Sequence, residues 1–245
     1  MKQNYLLTVG HDTMNTASPL SLPESQSSMP YSSSFTRIAP FVLALAFSQT
    51  AVARIYVAEA GGSTGAVTDY PLAANGNSSP AATITGGSTG LVTPYGVAAD
   101  ASHVYVTDIG AGAGSVYIYG LAAAGNASPL ATIRGASTGL DSPEGIAVDA
   151  NSIYVTNNNT SNSVTVYPLA ASGNTSPTAT IRGNNTGLTP AGIAVDASHI
   201  YVTNNSSVTV YPLNANGNVA PTATISGGNT GLTAPTGMPA FASSA

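Results

Sequence analysis

From Arg54 onward, short runs of β-branched and aromatic residues alternate with clusters of Gly, Asn, Ser, Thr and Pro. Tyr-Val recurs at Tyr56-Val57, Tyr105-Val106, Tyr154-Val155 and Tyr201-Val202, at spacings of 49, 49 and 47 residues. A second β-rich run follows each: Val67 to Tyr70, Val116 to Tyr119, Val164 to Tyr167 and Val208 to Tyr211. Gly-Asn turns come next, at Gly76, Gly125, Gly173 and Gly217. Ala-Thr-Ile then ends at Ile84, Ile133, Ile181 and Ile225, and Thr-Gly-Leu ends at Leu91, Leu140, Leu188 and Leu232. Each unit closes on a short apolar run opened by glycine, as at Gly145 to Asp149 and Gly192 to Asp196.

Turn signals every 8–15 residues between short apolar runs are the spacing of an all-β chain, and no stretch carries a long amphipathic helical period. Four antiparallel strands in 47–49 residues is the size of a β-propeller blade, for which roughly 40–50 residues is usual. A blade cannot bury both faces alone, so it stacks on its neighbours around an axis. The pattern therefore predicts an all-β propeller of four repeats, over approximately residues 55–103, 104–152, 153–199 and 200–245.

The phase of the repeat matters. Arg54 to Val57 is a second strand, so the first blade lacks its own innermost strand. Residues 237–241 occupy an innermost-strand position and would complete that blade, closing the ring. Pro239 and Phe241 depart from the repeat there, and proline removes a ladder donor. Three arrangements fit: four blades close, the ring stays open and pairs with another copy through its terminal blades, or the chain is a fragment of a larger propeller. Exposed terminal blades offer sheet faces and edges to a partner.

Residues 1–28 are polar and aperiodic, a leader that is disordered or precedes the true start of translation. Residues 29–53 run from a polar stretch with Arg37, through ten apolar residues Ile38 to Phe47, to Ala51-Val52-Ala53. A basic residue, a short apolar run and a small-x-small site form the layout of a secretory signal peptide. Ten apolar residues are too few for a membrane-spanning helix, which needs about 20. The expectation is a secreted or cell-surface protein, with no stable membrane span after cleavage.

Composition sharpens this picture. Charged residues are only 6% of the chain and the net charge is -5. From Arg54 onward the bases are Arg54, Arg134 and Arg182, which form no basic stripe. Nucleic acid requires such a stripe to displace counterions from phosphates, so it is not an expected partner. Cysteine is absent, which removes disulfides and thiolate chemistry. No nucleophile elbow, phosphate loop, zinc spacing or His-Glu-x-x-His pattern occurs. No catalytic residues are assigned.

The Gly-Ile-Ala-Val-Asp, Ile-Tyr-Val-Thr-Asn and Ser-Val-Thr-Val-Tyr runs of residues 145–167 and 192–211 closely resemble the repeats of the NHL and YVTN propeller families. The resemblance covers about residues 55–237. Relatives of this type commonly have six or more blades. Gluconolactonase-like propellers and streptogramin lyases are more distantly similar, and they work at one mouth of the central channel.

Strand order brings two loop sets to one such mouth. One set carries Glu59, Asp108, Asn157 and Asn204, and the other Tyr95, Glu144, Ala191 and Thr236. Oxygen ligands converging on an axis suit a hard cation such as calcium. The resemblance to the gluconolactonase-like group, which holds a divalent metal with Glu, Asn and Asp, makes Glu59, Asp108, Glu144 and Asn157 the candidate metal ligands. The competing reading is that Asn and Asp at strand ends cap turns. Asp100, Asp149 and Asp196 recur at one position beside a hairpin, which assigns them to turns, with His103 and His199 adjacent. Asp141 occurs once, in the loop leading into an innermost strand, and is expected to be solvated. Asp69 replaces the Ile118, Val166 and Val210 of the other copies and needs a partner or solvent. It is expected to mark an exposed outer face of the first blade.

Two readings of function stand. The first is a secreted or surface-attached propeller that binds or scaffolds a protein or glycan. The second is a metal-dependent enzyme of lactonase or lyase type at the channel mouth. The near uniformity of the repeats favours the first, since an enzyme needs a few non-repeated residues converging on one site. Fold alone decides nothing here, because propellers host many activities.

Overall fold

The computed structural model describes residues 54–61, 64–110, 112–160 and 162–237. The proposed leader and signal peptide, and residues 238–241 of the proposed closing strand, lie outside the described residues. The described residues form fifteen strands and no helix. None of them therefore belongs to a helix long and apolar enough to cross a membrane.

The strands make four antiparallel sheets in chain order. The first has three strands, β1 (Arg54–Glu59), β2 (Ala66–Pro71) and β3 (Ala82–Thr85). The second runs β4 (Pro94–Ala99), β5 (His103–Asp108), β6 (Ser115–Gly120) and β7 (Ala131–Ile133). The third runs β8 (Pro143–Val148), β9 (Ser152–Asn157), β10 (Ser163–Pro168) and β11 (Ala179–Arg182). The fourth runs β12 (Ile193–Val195), β13 (His199–Thr203), β14 (Ser207–Pro212) and β15 (Ala223–Ser226). Each sheet is an up-and-down meander, and β4 packs beside β8 as β8 packs beside β12. This is the architecture of a β-propeller with four blades, the first lacking an innermost strand among the described residues.

Sequence repeat and sheet are out of phase by one strand. β4 lies within the first sequence repeat but hydrogen-bonds to β5 in the second sheet. Three hairpin-forming Asp side chains show why the β4–β5, β8–β9 and β12–β13 connections are so tight. Asp100 Oδ1 accepts the amides of Ser102 at 2.6 Å and His103 at 2.7 Å. Asp149 does the same for Asn151 at 2.7 Å and Ser152 at 2.8 Å. Asp196 repeats it with Ser198 and His199 in the fourth sheet. Short Asx side chains mimic a backbone turn in this way.

Side chains alternate faces along a strand, and here both faces of the middle sheets are covered. Three cores result, each shared by two neighbouring sheets. Tyr56, Val67 and Ile84 of the first sheet meet Val104, Val106 and Tyr119 of the second. Tyr105, Ile118 and Ile133 of the second meet Ile153, Val155 and Tyr167 of the third. Tyr154, Val166 and Ile181 of the third meet Ile200, Val202 and Tyr211 of the fourth. Fully buried side chains of this size contribute roughly 1.5–3 kcal/mol each relative to exposure.

Tyrosine hydroxyls also tie the sheets together. Tyr119 donates to the Thr89 carbonyl at 2.6 Å and Tyr167 to that of Thr138 at 2.6 Å. Tyr211 donates to the Thr186 carbonyl in the same way. Burial pushes the Tyr167 hydroxyl up to about 12, so it stays a donor at any physiological pH.

Asp69 departs from expectation. It is 5% exposed, on the same face of β2 as Val67 and so inside the core shared with the second sheet. Arg54 supplies the compensation: Nη2 lies 2.6 Å from Oδ2 and Nε donates to Oδ1 at 2.6 Å. A carboxylate at an otherwise apolar position is tolerated because a paired guanidinium replaces the water it loses. The same bond to Asp69 raises the pKa of Arg54.

Candidate functional site

The ends of β5, β9 and β13 lie beside the starts of the innermost strands, as Pro94 pairs with Asp108 and Pro143 with Asn157. Both loop sets therefore share one end of the sheets. Glycine makes the close approach there. Thr107 Oγ1 donates to the Glu144 carbonyl of the next sheet at 2.6 Å and receives the Gly96 amide at 2.8 Å. Thr156 repeats this with the Ala191 carbonyl at 2.7 Å and the Gly145 amide at 2.7 Å. These threonines were not singled out as site residues from sequence, although their recurrence after Tyr-Val was visible.

Asp108 and Asn157 are both fully buried. Asp108 Oδ2 accepts the amides of Val92 at 2.8 Å and Thr93 at 3.0 Å, and Oδ1 accepts that of Gly110 at 2.8 Å. Asn157 Oδ1 accepts the amide of Asp141 at 3.0 Å, and its Nδ2 donates to Thr165 Oγ1 at 3.1 Å. Asn204 matches Asn157, accepting from Thr189 at 2.8 Å and donating to Thr209 Oγ1 at 3.0 Å. The exchange of Asn for Asp has a local cause. Where the third and fourth sheets have Thr165 and Thr209, the second has Tyr117. An amide at position 108 would lose its acceptor, whereas a carboxylate takes up a third N–H.

Glu59 is half-buried at the end of β1. Glu144 is half-buried and accepts Asn158 Nδ2 at 2.9 Å. Burial raises the Glu144 carboxyl above its ordinary value, and the Asn158 bond offsets only part of this. Asp141, half-buried in its loop, keeps solvent contact and also receives Asn159 Nδ2 at 2.8 Å and Thr160 Oγ1 at 3.2 Å. Among the described residues, no three His, Cys, Asp or Glu side chains gather closely enough to hold a metal ion. Of the four candidate ligands, Asp108 and Asn157 thus spend their oxygens on loop amides. Glu59 and Glu144 retain carboxylate capacity.

At the opposite end, Tyr105, Tyr154 and Tyr201 donate their hydroxyls to the turn carboxylates Asp100, Asp149 and Asp196 at 2.6, 2.7 and 2.8 Å. His103 and His199 stand beside them, with Nδ1 3.7 and 3.8 Å from the Asp oxygens. Partial burial raises the Asp100 carboxyl, but the bonds from Tyr105, Ser102 and His103 outweigh it and leave the pKa lowered. The Ser198 amide, with Tyr201, lowers that of Asp196. A lowered folded value contributes stability above the ordinary carboxylate range and loses it as pH falls through the folded value. Denaturant midpoints are expected to hold from pH 7 to about 5 and to drop below about pH 4. In the double variant Asp100→Asn/Asp196→Asn the drop should be shallower; an identical acid limb would refute the assignment.

No protein-family model and no curated protein sequence matches the chain. Solved structures do. The WD40 domain of Toxoplasma gondii coronin matches at 14% identity and a TM-score of 0.48, covering 65% of this chain and 40% of that one. The chain thus spans less than half of that domain. The glutaminyl cyclase of Myxococcus xanthus matches at 12% identity and a TM-score of 0.47, covering 76% of each chain. The class of protein that the four stacked sheets define is the β-propeller module.

Proposed function

We propose that this chain is a secreted or cell-surface propeller of the NHL/YVTN kind that binds or scaffolds a protein or glycan. The observation that carries the reading is the equal use of equivalent residues at the mouth. Asp108, Asn157 and Asn204 all hold the loop leading into an innermost strand, and Thr107 and Thr156 both tie one innermost strand to the next. A site repeated from blade to blade suits a scaffold. The exposed remainder is rich in neutral amides and hydroxyls. One open polar groove beside the third sheet is lined by Thr160, Asn162, Arg182 and Asn184, among others. Such groups recognise sugars and peptide backbones through hydrogen bonds rather than long-range charge.

Binding to immobilised polysaccharides and surface proteins should therefore be saturable and nearly unchanged between 50 and 500 mM salt (chosen assay conditions). Exposed ion pairs would be screened over that range. Absence of any saturable binding, or its collapse in salt, would count against the reading.

Glu144 favours the second reading, a metal-dependent lactonase or lyase, because a half-buried carboxylate with a raised pKa is unusual for a purely structural residue. Thermal unfolding with calcium, manganese or chelator separates the two. A ligand that binds only the folded state stabilises it by about 2.7 kcal/mol at 100 times its Kd. The scaffold reading expects one midpoint under all three conditions. A metal-dependent rise that disappears in Glu144→Gln would overturn it. Without metal at neutral pH, Glu144→Gln should itself raise the midpoint slightly. A group whose folded pKa is raised contributes stability below its unfolded value and loses it as pH rises.

A further inference from the structure

The three junctions between neighbouring sheets are copies of one another. In each, the glycine of a Gly-Asn turn bridges in parallel to the isoleucine of the preceding outer strand, as Gly125 does to Ile84. Gly125 N donates to the Thr83 carbonyl at 2.7 Å and its carbonyl accepts Thr85 N at 2.9 Å. Gly173 and Gly217 do the same with Thr132 and Arg134, and with Thr180 and Arg182. The next asparagine lies over the glycine that ends the outer strand. Its Oδ1 accepts the amide two residues further on: Ser88 to Asn126 at 2.6 Å, Ser137 to Asn174 at 2.7 Å, Asn185 to Asn218 at 2.8 Å. A tyrosine hydroxyl completes each junction.

Both halves of a fourth junction are present and, among the described residues, unmated. On the fourth sheet, Ile225 is 53% exposed, whereas its equivalents Ile84, Ile133 and Ile181 are 4, 0 and 0% exposed. Among the described residues, and apart from its own chain neighbours, no atom stands within 4 Å of where a side chain on Gly227 would begin, the place an asparagine fills at Gly86, Gly135 and Gly183. Thr230, whose counterparts Thr89 and Thr138 are fully buried, is exposed. On the first sheet, Tyr70, Gly76 and Asn77 occupy the positions of the mating groups. Ile55 and Val57 there are only half-buried, while Val104 and Val106 at the same positions are 1 and 0% exposed. Repeat arrays normally end in polar caps, and these two faces are not capped among the described residues.

We propose that the fourth sheet of one copy docks head to tail on the first sheet of a second copy, reproducing the internal junction. Gly76 would pair with Thr224 and Ser226, Asn77 would receive the Asn229 amide, and Tyr70 would reach the Thr230 carbonyl. The chain's own first sheet carries the same groups. Yet no hydrogen bond and no shared core joins the fourth sheet to the first among the described residues, while the other three junctions have both. A second copy supplies the groups without forcing four sheets into a closed ring. Head-to-tail contacts close when the rotation permits. Two copies make eight sheets, within the roughly four-to-eight range of propellers.

The test is the mass of the full chain by light scattering, with hydrogen exchange read at the Ser226 and Gly76 amides. The expected result is twice the chain mass, with both amides exchanging as slowly as the hydrogen-bonded amides of Arg134 and Gly173. Ile225→Asp and Asn77→Lys each spoil one end, at exposed positions, and should each be monomeric with unaltered circular dichroism. Mixed together they retain one intact junction and should associate, although neither does alone. A wild-type monomer with protected Ser226 would show ring closure on itself and overturn the proposal. So would a monomer with unprotected Ser226, or a dimer indifferent to Ile225→Asp.

Discussion

Asp108→Ala is expected to cost about 4 kcal/mol, because three loop amides lose a buried charged acceptor at once. Each stranded N–H carries a desolvation penalty of about 1–3 kcal/mol. The Asp108 side chain itself has no exposed surface. Asp108→Asn should be much milder, near 1–2 kcal/mol, since one oxygen survives to accept an amide. In place of Oδ1, its new NH2 group would confront the Gly110 amide instead of accepting it, which leaves a residual cost. Denaturant unfolding of the two variants checks the prediction. If alanine and asparagine prove equally mild, the carboxylate does not organise this loop. The same pair of variants bears on the metal question, because a ligand role would make asparagine costly for metal-dependent stability and nearly neutral without it.

The second large effect is expected at Gly145. A methyl group there would begin 2.6 Å from the Ala191 carbonyl oxygen and 3.0 Å from both Gly192 Cα and Ile193 N. All three are main-chain atoms of the next sheet, so no side chain can swing away. Gly145→Ala should therefore push the third and fourth sheets apart and cost about 3 kcal/mol. It should also weaken the Gly145 amide's bond to Ala191, now 3.1 Å. Gly96 faces the Glu144 carbonyl in the same manner one sheet earlier. Gly87 is the control: among the described residues beyond its chain neighbours nothing lies within 4 Å of where a methyl group would begin, and alanine there should change stability by less than about 0.5 kcal/mol. Thermal midpoints of Gly145→Ala and Gly87→Ala that moved together would mean the close approach does not exist.

The fold was legible because a repeated sequence states its own architecture. Tyr-Val, the Gly-Asn turn and Ala-Thr-Ile each recur once per sheet, and the turn aspartates once in each of the last three. Period-two alternation then assigns faces with no knowledge of the tertiary structure. The three-stranded first sheet among the described residues and the hairpin role of Asp100, Asp149 and Asp196 follow from that register alone. Placing the two loop sets at one end was equally local, since antiparallel pairing decides it.

What happens between sheets was not legible, because it depends on distances across residues far apart in the chain. Asp69 could not be matched to Arg54 from sequence, since β1 and β2 must pair before the guanidinium reaches the carboxylate. Whether Asp108 faces a channel or a loop amide turns on a few ångströms at the end of β5. The tertiary structure spends its oxygens on Val92, Thr93 and Gly110. Four nearly identical isoleucines make the point most simply. The sequence by itself determined that Ile84, Ile133, Ile181 and Ile225 stand at one place in a blade. Only the stacking of sheets decided that three are buried and the fourth is exposed, because burial belongs to the neighbour that covers a residue and not to the residue.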